Sequence, residues 1–112
     1  MMERFKLMNG DLVLGIVTKD GSHFSFERNP EIVKPWLFPY EFYELKSENL
    51  PNEVTSEQIE SFFRNRGIPE DRQCIEIILD RVGIPEYDYW ELNKWFHGRD
   101  IDDNFHIEEV NT

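Results

Sequence analysis

Residues 4–27, RFKLMNGDLVLGIVTKDGSHFSFE, determine the class of fold. Short apolar and β-branched runs alternate here with the dipeptides Asn9-Gly10 and Asp20-Gly21, which tolerate the positive φ of two-residue hairpin turns. We therefore predict a three-stranded antiparallel meander with strands near 4–8, 12–18 and 23–27. Apolar and polar residues alternate in the third run, which predicts one solvated face and one face that a later part of the chain covers.

From residue 55 the apolar residues recur with a helical period. Thr55 and Gln58 have the spacing of a capping box, and this first helix is predicted to end near Arg66. A second helix is predicted to begin in the run 68–71, where proline and acids suit a first turn, and to end at Gly83.

Cys74 falls on an apolar face of that second helix, so we predict an inert, buried thiol. A third helix is predicted to open at Asp88, with Glu91 completing a second capping box. Its predicted core residues are Tyr89, Leu92 and either Trp95 or Phe96.

Prolines break any long helix between residues 29 and 54, where we predict an irregular, aromatic-anchored segment with a short strand near 41–45. Residues 102–108 end in an alternating pattern that predicts a last strand at an edge of the N-terminal sheet. The predicted class is α+β: an N-terminal antiparallel β-meander, three short helices and a C-terminal edge strand. We predict one domain over 1–112, with a β-rich part at 1–54 and an acidic helical part at 55–112.

The charge of the chain restricts its partners. Its 23 acidic and 12 basic residues give a net charge of −11, and 18 of the acids lie in residues 41–112. Direct binding to nucleic acid is disfavoured, because neutralising phosphates needs a basic face. The sequence has no apolar run long enough to span a membrane, so we expect a cytoplasmic protein. It has only one cysteine, so we expect no internal disulfide.

Residues for catalysis or cofactor binding do not form a recognisable set. His97, Asp102, Asp103 and His106 lie within ten residues, but their spacing matches no closed zinc pattern, and they are interpreted as ordinary surface or core residues. The sequence has no nucleophile elbow and no glycine-rich phosphate loop. We expect neither catalysis nor a cofactor or metal.

A series of three arginines stands out in the acidic half of the chain: Arg64, Arg66 and Arg72, around the residues 67–69. Two interpretations stay open for Arg66 and Arg72. They pair with acidic neighbours or cap the carbonyls of the first helix, or they contact an anionic partner.

The tryptophans Trp36, Trp90 and Trp95 are candidates for the core, and any that stays exposed is a candidate interface anchor. We list the candidate partner-binding residues as Arg66, Arg72, Trp90, Trp95, Asp102, Asp103 and Phe105.

A series of spaced motifs follows residue 54. The run 63–72, FRNRGIPEDR, ends in an Arg-x-Ile-Pro-x-x-Arg turn, a Gly-Ile pair precedes Tyr87-Asp88, and the run 98–107, GRDIDDNFHI, closes the series. Together they resemble a segment of HipA-like kinase loci of Firmicutes and their phages, over about half of the chain. The residues that match that pattern are Arg66, Pro69, Arg72, Gly83, Asp88, Gly98, Asp103 and Ile107.

The closing motif departs from the family pattern at three positions. Asp100, Phe105 and His106 stand where serine, tyrosine and tryptophan are usual, so contacts made by this motif in relatives can differ here. The resemblance implies an accessory or N-terminal module of a toxin–antitoxin-type system, without the kinase domain. It implies no activity, since the chain has no kinase catalytic loop or Asp-Phe-Gly motif.

Three functions follow as hypotheses. The leading one is a non-enzymatic module that binds a protein partner through an apolar patch framed by acids, as a regulator or accessory subunit of a HipA-like kinase. The alternative is an acidic mimic of nucleic acid that inhibits a restriction or CRISPR nuclease. An enzyme comes third, because it requires a concave pocket with convergent polar groups and the sequence gives no sign of one.

Overall fold

Four strands and three helices make up the described part of the chain. A computed structural model of the protein describes residues 2–42, 54–100 and 103–110. The elements, in chain order, are β1 (Met2–Asn9), β2 (Leu12–Asp20), β3 (His23–Arg28), α1 (Ser56–Arg64), α2 (Ile75–Val82), α3 (Tyr89–Trp95) and β4 (Phe105–Glu109). All strand pairs are antiparallel, and the strands lie in the order β3-β2-β1-β4. The predicted α+β class and the last edge strand are confirmed.

The two hairpin turns lie one residue later than predicted. Asn9 and Asp20 still belong to the strand ladders, where they pair with Leu12 and His23. Gly10 has a φ of 59° at the first position of its turn, and glycine is preferred there because other residues rarely adopt that conformation.

One face of the sheet carries the core. Leu7, Val17 and Phe24 point towards the helices and meet Phe63 of α1 and Trp90 of α3. The rings of Phe24 and Phe63 stack at 5.8 Å, and Trp90 meets Phe63 edge-on at 5.1 Å. On the opposite face the residues at alternate positions of the strands are exposed, among them Arg4, Lys6, Ser25 and Glu27. The predicted solvated and covered faces are therefore confirmed.

The first helix begins as predicted. The Thr55 hydroxyl accepts a hydrogen bond from the Gln58 N–H at 3.1 Å, and the Gln58 side chain accepts one from the Thr55 N–H at 2.8 Å. This capping box satisfies two N–H groups that a helix start otherwise leaves unpaired. The helix ends at Arg64 with Asn65 as its cap, two residues before the predicted end.

The second helix is shorter than predicted. Its N-terminal cap Cys74 has a φ of 64°, and a left-handed residue cannot continue a right-handed helix, so the helix begins at Ile75 instead of 68–71. Cys74 is exposed, and the predicted buried thiol is wrong. The predicted end is confirmed, because Gly83 caps the helix in the left-handed conformation.

The third helix begins with Asp88, whose carboxylate accepts from the N–H groups of Trp90 and Glu91 at 2.9 and 3.2 Å. The Glu91 carboxylate pairs with Lys94 at 2.9 Å, so it does not complete the predicted capping box. The predicted burial of Leu92 is confirmed, and Tyr89 is half-buried.

Neither Trp95 nor Phe96 faces the core, in contrast to the prediction for this helix. Trp90, Leu92 and Asn93 occupy the inner face of α3 instead.

Two short 3₁₀ turns, Pro35–Leu37 and Tyr40–Phe42, occupy the described part of the proline-rich segment. Phe38 and Phe42 anchor it in the core, as the aromatic content of the segment predicts. Residues 41 and 42 lie in the second turn and not in the predicted strand, whose remaining residues lie outside the described ranges.

Candidate functional site

Arg66 is buried and joins three segments of the chain. Its guanidinium forms a bidentate pair with Asp103, with Nη1 to Oδ2 at 2.8 Å and Nη2 to Oδ1 at 2.6 Å. Its Nε donates to the carbonyl of Gly98 at 2.7 Å, and Nη2 donates to the carbonyl of Phe105 at 3.2 Å. The guanidinium also lies 4.7 Å from the ring centre of Phe62. Of the two interpretations of Arg66, the structure shows the internal ion pair.

Asp103 is held in its charged form by this contact. Burial alone would raise the pKa of the Asp103 carboxyl, but hydrogen bonds from Arg66 and from the Phe105 N–H outweigh burial and lower it. The pair therefore fixes the start of β4 against the end of α1.

The other candidate residues lie in different environments. Trp90 is 3% exposed and donates its indole N–H to Glu3 at 3.3 Å, so it belongs to the core rather than to a partner surface. Phe105 is half-buried and packs edge-on against Phe62. Arg72 is exposed in the turns before α2, and Asp102 lies outside the described residues.

Trp95 is the aromatic candidate that the structure leaves exposed to a partner. Its side chain is 56% exposed, and that of its neighbour Phe96 is 37% exposed. The helix rotates these rings outward because Asn93 is tied inward, where its amide donates to the Phe63 carbonyl at 2.9 Å and the Tyr89 carbonyl at 2.8 Å. Two adjacent aromatic rings are thus exposed at the end of α3.

A cleft of about 280 Å³ lies between the end of α3 and the strands β1 and β4. We call it the α3–β4 cleft, and its lining residues are Glu3, Phe5, Lys94, His97, Ile107 and Glu109. Trp95 and Phe96 do not line the cleft themselves, but they lie between Lys94 and His97 in the sequence, and both of these residues line it. We call the exposed rings and the cleft together the docking surface.

Carboxylates outnumber cations around the cleft. The Lys94 ammonium lies 3.0 Å from Glu3 and 2.9 Å from Glu91. Burial alone would lower the pKa of Lys94, but its hydrogen bonds to Glu91 and Glu3 outweigh burial and raise it. Two carboxylates share this one cation, and Glu109 adds a third at the cleft. The cleft therefore favours a positively charged group.

Most of this surface has no local signal in the sequence. Glu3, Lys94 and Glu109 come from three elements that are far apart in the chain, and no local pattern links them. Only Trp95 could be found from the sequence, because any tryptophan that stays outside the core is a candidate interface residue.

A second group of exposed apolar side chains lies in the segment 33–40. Trp36 is 71% exposed, and Val33 and Tyr40 are also exposed. The Lys34 ammonium lies 6.0 Å from the centre of the Trp36 ring. None of these residues lines the α3–β4 cleft, so Trp36 is a matched control for Trp95.

Acidic residues gather around two tyrosines. Burial raises the pKa of Tyr87, and the nearby carboxylates of Glu70, Asp71 and Asp88 raise it further. Burial, followed by the charge of Glu60, raises the pKa of Tyr89 to about 12. The Arg64 guanidinium lies 4.1 Å from the Tyr89 ring centre, and its charge opposes that of the carboxylates at both tyrosines.

Within residues 2–42, 54–100 and 103–110, no three histidine, cysteine, aspartate or glutamate side chains are placed to hold a metal ion. None of the helices in these ranges is long and apolar enough to cross a membrane.

Comparisons of the chain with protein-family models, curated proteins and solved structures find no match. The resemblance to a segment of HipA-like kinase loci therefore stays a prediction.

Proposed function

We propose that the protein is a cytoplasmic, non-catalytic binding module that docks on a protein partner through the docking surface. The observation that carries this proposal is the exposure of Trp95 and Phe96 beside the α3–β4 cleft. Tryptophan and other large aromatic residues concentrate binding energy at interfaces, because each removes a large apolar area from water. Trp95 is outside the core cluster, so its ring is available to a partner.

The resemblance in the second half of the chain suggests a class of partner. A HipA-like kinase of a bacterial or phage toxin–antitoxin locus is the first protein to test, with the module as its regulator or accessory subunit. The charge of −11 supports association with a basic region of such a partner.

The test is affinity capture from host lysate at low and high salt, followed by binding measurements with the purified partner. We expect the double variant Trp95→Ala/Phe96→Ala to lose the partner that the wild type retains. The matched variant Trp36→Ala removes a tryptophan that is even more exposed, 71% against 56%, but lies outside the docking surface, and it should retain the partner. Equal binding by the double variant and the wild type would overturn the proposal.

The acidic region around Tyr87 and Tyr89 supports a second candidate, an acidic mimic of nucleic acid that inhibits a phage-defence nuclease. Carboxylates from α1, from the turns before α2 and from the start of α3 meet in this region. Such a mimic would bind a DNA-binding protein, would compete with DNA and would weaken steeply with salt. A captured partner that DNA does not displace would exclude mimicry.

A further inference from the structure

Two adjoining clefts lie along β4 on the face of the sheet that points away from the helices. Their volumes are about 420 and 490 Å³, and Arg99, His106 and Glu108 line both of them. His106 pairs with Met8 across the strands, and Glu108 pairs with Lys6. Paired residues point to the same face of a sheet, so these side chains lie together on the solvated face. We call the two clefts together the β4 groove.

The segment 97–100 closes one side of the β4 groove. The Ile107 N–H donates to the His97 carbonyl at 2.8 Å, which holds this segment against the outer edge of β4. Arg99 follows in the same segment and lines both clefts together with His106. His106 lies deep in the groove, since only 8% of its surface is exposed.

His106 has a ring nitrogen without a hydrogen-bond partner. Its Nδ1 lies 3.4 Å from the Asn104 carbonyl oxygen, so the proton of the neutral ring belongs on Nδ1. Nε2 is then an acceptor, and it faces another acceptor, a Glu108 carboxylate oxygen, at 3.8 Å. Among the described residues, no side chain or main-chain group donates a hydrogen bond to either of these two atoms.

A primary ammonium group fits between these two acceptors. Charge-assisted hydrogen bonds from an ammonium are about 2.7–2.9 Å long, so one nitrogen reaches both atoms across a gap of 3.8 Å. The ammonium has three N–H donors and also carries the charge that complements Glu108. A metal ion needs at least one further ligand, and the described residues place no third histidine, cysteine, aspartate or glutamate there.

The β4 groove also offers cations to a carboxylate. Lys6 and Arg99 both line the larger cleft, and neither forms an ion pair with any described residue. Glu108 and Glu109 line the same cleft and would repel a simple anion. A ligand that carries both a carboxylate and an ammonium matches this mixture of charges.

The smaller cleft is acidic. Its acidic lining residues are Asp11, Asp100, Asp103 and Glu108, and its basic one is Arg99. The charge of Asp103 is already balanced by Arg66. Asp11 is exposed and forms no ion pair with any described residue. This cleft therefore suits a side chain that ends in a cation.

We propose that the β4 groove binds a free basic α-amino acid of the lysine type. The α-ammonium lies between His106 and Glu108, the α-carboxylate pairs with Lys6 and Arg99, and the basic side chain extends towards Asp11. Both cleft volumes fall in the usual range of small-molecule sites, about 300–1,000 Å³. The proposal goes beyond the proposed function and does not depend on it, because Trp95 and Phe96 line neither cleft.

The test is an NMR titration of the full chain with L-lysine. We expect saturable binding with a dissociation constant of about 1 mM or lower and the largest shifts at His106 and Glu108. Cadaverine lacks the carboxylate and Nα-acetyl-lysine lacks the α-ammonium, so each should bind at least about tenfold more weakly. Equal binding of Nα-acetyl-lysine, or shifts that do not saturate, would overturn the proposal.

Variants of exposed residues separate the groove from the overall charge. Glu108→Gln and Lys6→Gln should each weaken L-lysine binding at least about fivefold, because each removes a charge that contacts the ligand. The controls Glu27→Gln and Arg4→Gln make the same change of charge on the same face but line neither cleft, so binding should persist. Removal of Lys6 makes the protein more acidic, so stronger binding by Lys6→Gln would show unspecific attraction and contradict the proposal.

The protonation of His106 gives a test that needs no variant. Imidazole ¹⁵N shifts of the free protein near neutral pH should show a neutral ring with its proton on Nδ1, and L-lysine should shift the Nε2 signal. A charged ring that already pairs with Glu108 in the free protein would overturn the proposal, because no acceptor would remain for the ammonium.

Discussion

Arg66 connects the end of α1 to the segment that leads into β4. It binds Asp103, the carbonyls of Gly98 and Phe105, and the face of the Phe62 ring. Burial of a guanidinium destabilises the fold unless nearly all of its N–H donors are paired. The donors of Arg66 bond to the segment that leads into β4. One residue therefore determines where the last strand begins.

Removal of the Arg66 side chain should strongly destabilise the fold. We expect Arg66→Met to lower the free energy of unfolding by about 3 kcal/mol, near the lower end of the range for breaking a buried pair, because Asp103 is partly exposed. The control Arg64→Met removes an exposed cation that pairs with Glu60, and it should cost less than about 1 kcal/mol. Urea unfolding measures both, and equal losses would contradict the assigned role of Arg66.

The Asp103 carboxylate gives a pH dependence of defined sign. Its pKa is lowered from 3.8, so the folded state binds its proton less tightly than the unfolded state does. Its contribution to stability is therefore fully present above about pH 4 and is lost as the pH falls through the folded-state value. We expect the stability difference between wild type and Asp103→Asn to be constant from about pH 7 to 5 and to shrink below about pH 4. Urea midpoints against pH test this, and a difference that persists at the lowest pH would contradict it.

The β-sheet is the element that the sequence predicts best. The strands, their alternation and both hairpins follow from residues 4–27, because turn chemistry and side-chain period act locally. Gly15 is the exception within β2, since its role depends on a neighbouring strand. A Cβ at Gly15 would collide with the Glu27 carbonyl oxygen and lie 2.6 Å from the Phe26 ring.

Substitution of this glycine tests how closely β2 and β3 pack. We expect Gly15→Ala to destabilise the protein by about 1–3 kcal/mol, through displacement of Phe26 and the backbone of Glu27. Ser25→Ala, on the solvated face of β3, should change stability by no more than about 0.5 kcal/mol. Thermal unfolding of both variants measures the difference, and a neutral Gly15→Ala would show that β3 can move away.

The helices and the candidate site show where sequence reasoning fails. The start of α2 was misplaced because proline and acids in a turn resemble a helix start, whereas Cys74 adopts a left-handed conformation that no local pattern announces. Trp90 and Trp95 are chemically alike, and only the packing of α3 on the sheet decides which is buried. The cleft depends on β1, α3 and β4 together, so its residues could not be predicted from spacing.

The whole molecule combines a strongly acidic surface with a small exposed aromatic surface. The charge of −11 supplies long-range attraction to basic partners and keeps copies of the chain apart. Trp95, Phe96 and the α3–β4 cleft supply the short-range contact. Charge then governs the rate and selectivity of association, while the aromatic rings govern how long the complex lasts.

The most direct test of the docking surface is site-specific photo-crosslinking in host cells. A benzoylphenylalanine replaces Trp95 in one variant and Trp36 in a matched variant, and mass spectrometry identifies the proteins attached to each. We predict that position 95 crosslinks to one specific protein and that position 36 does not. Crosslinks to a specific protein from position 36 alone would contradict the proposal that the partner docks at the end of α3.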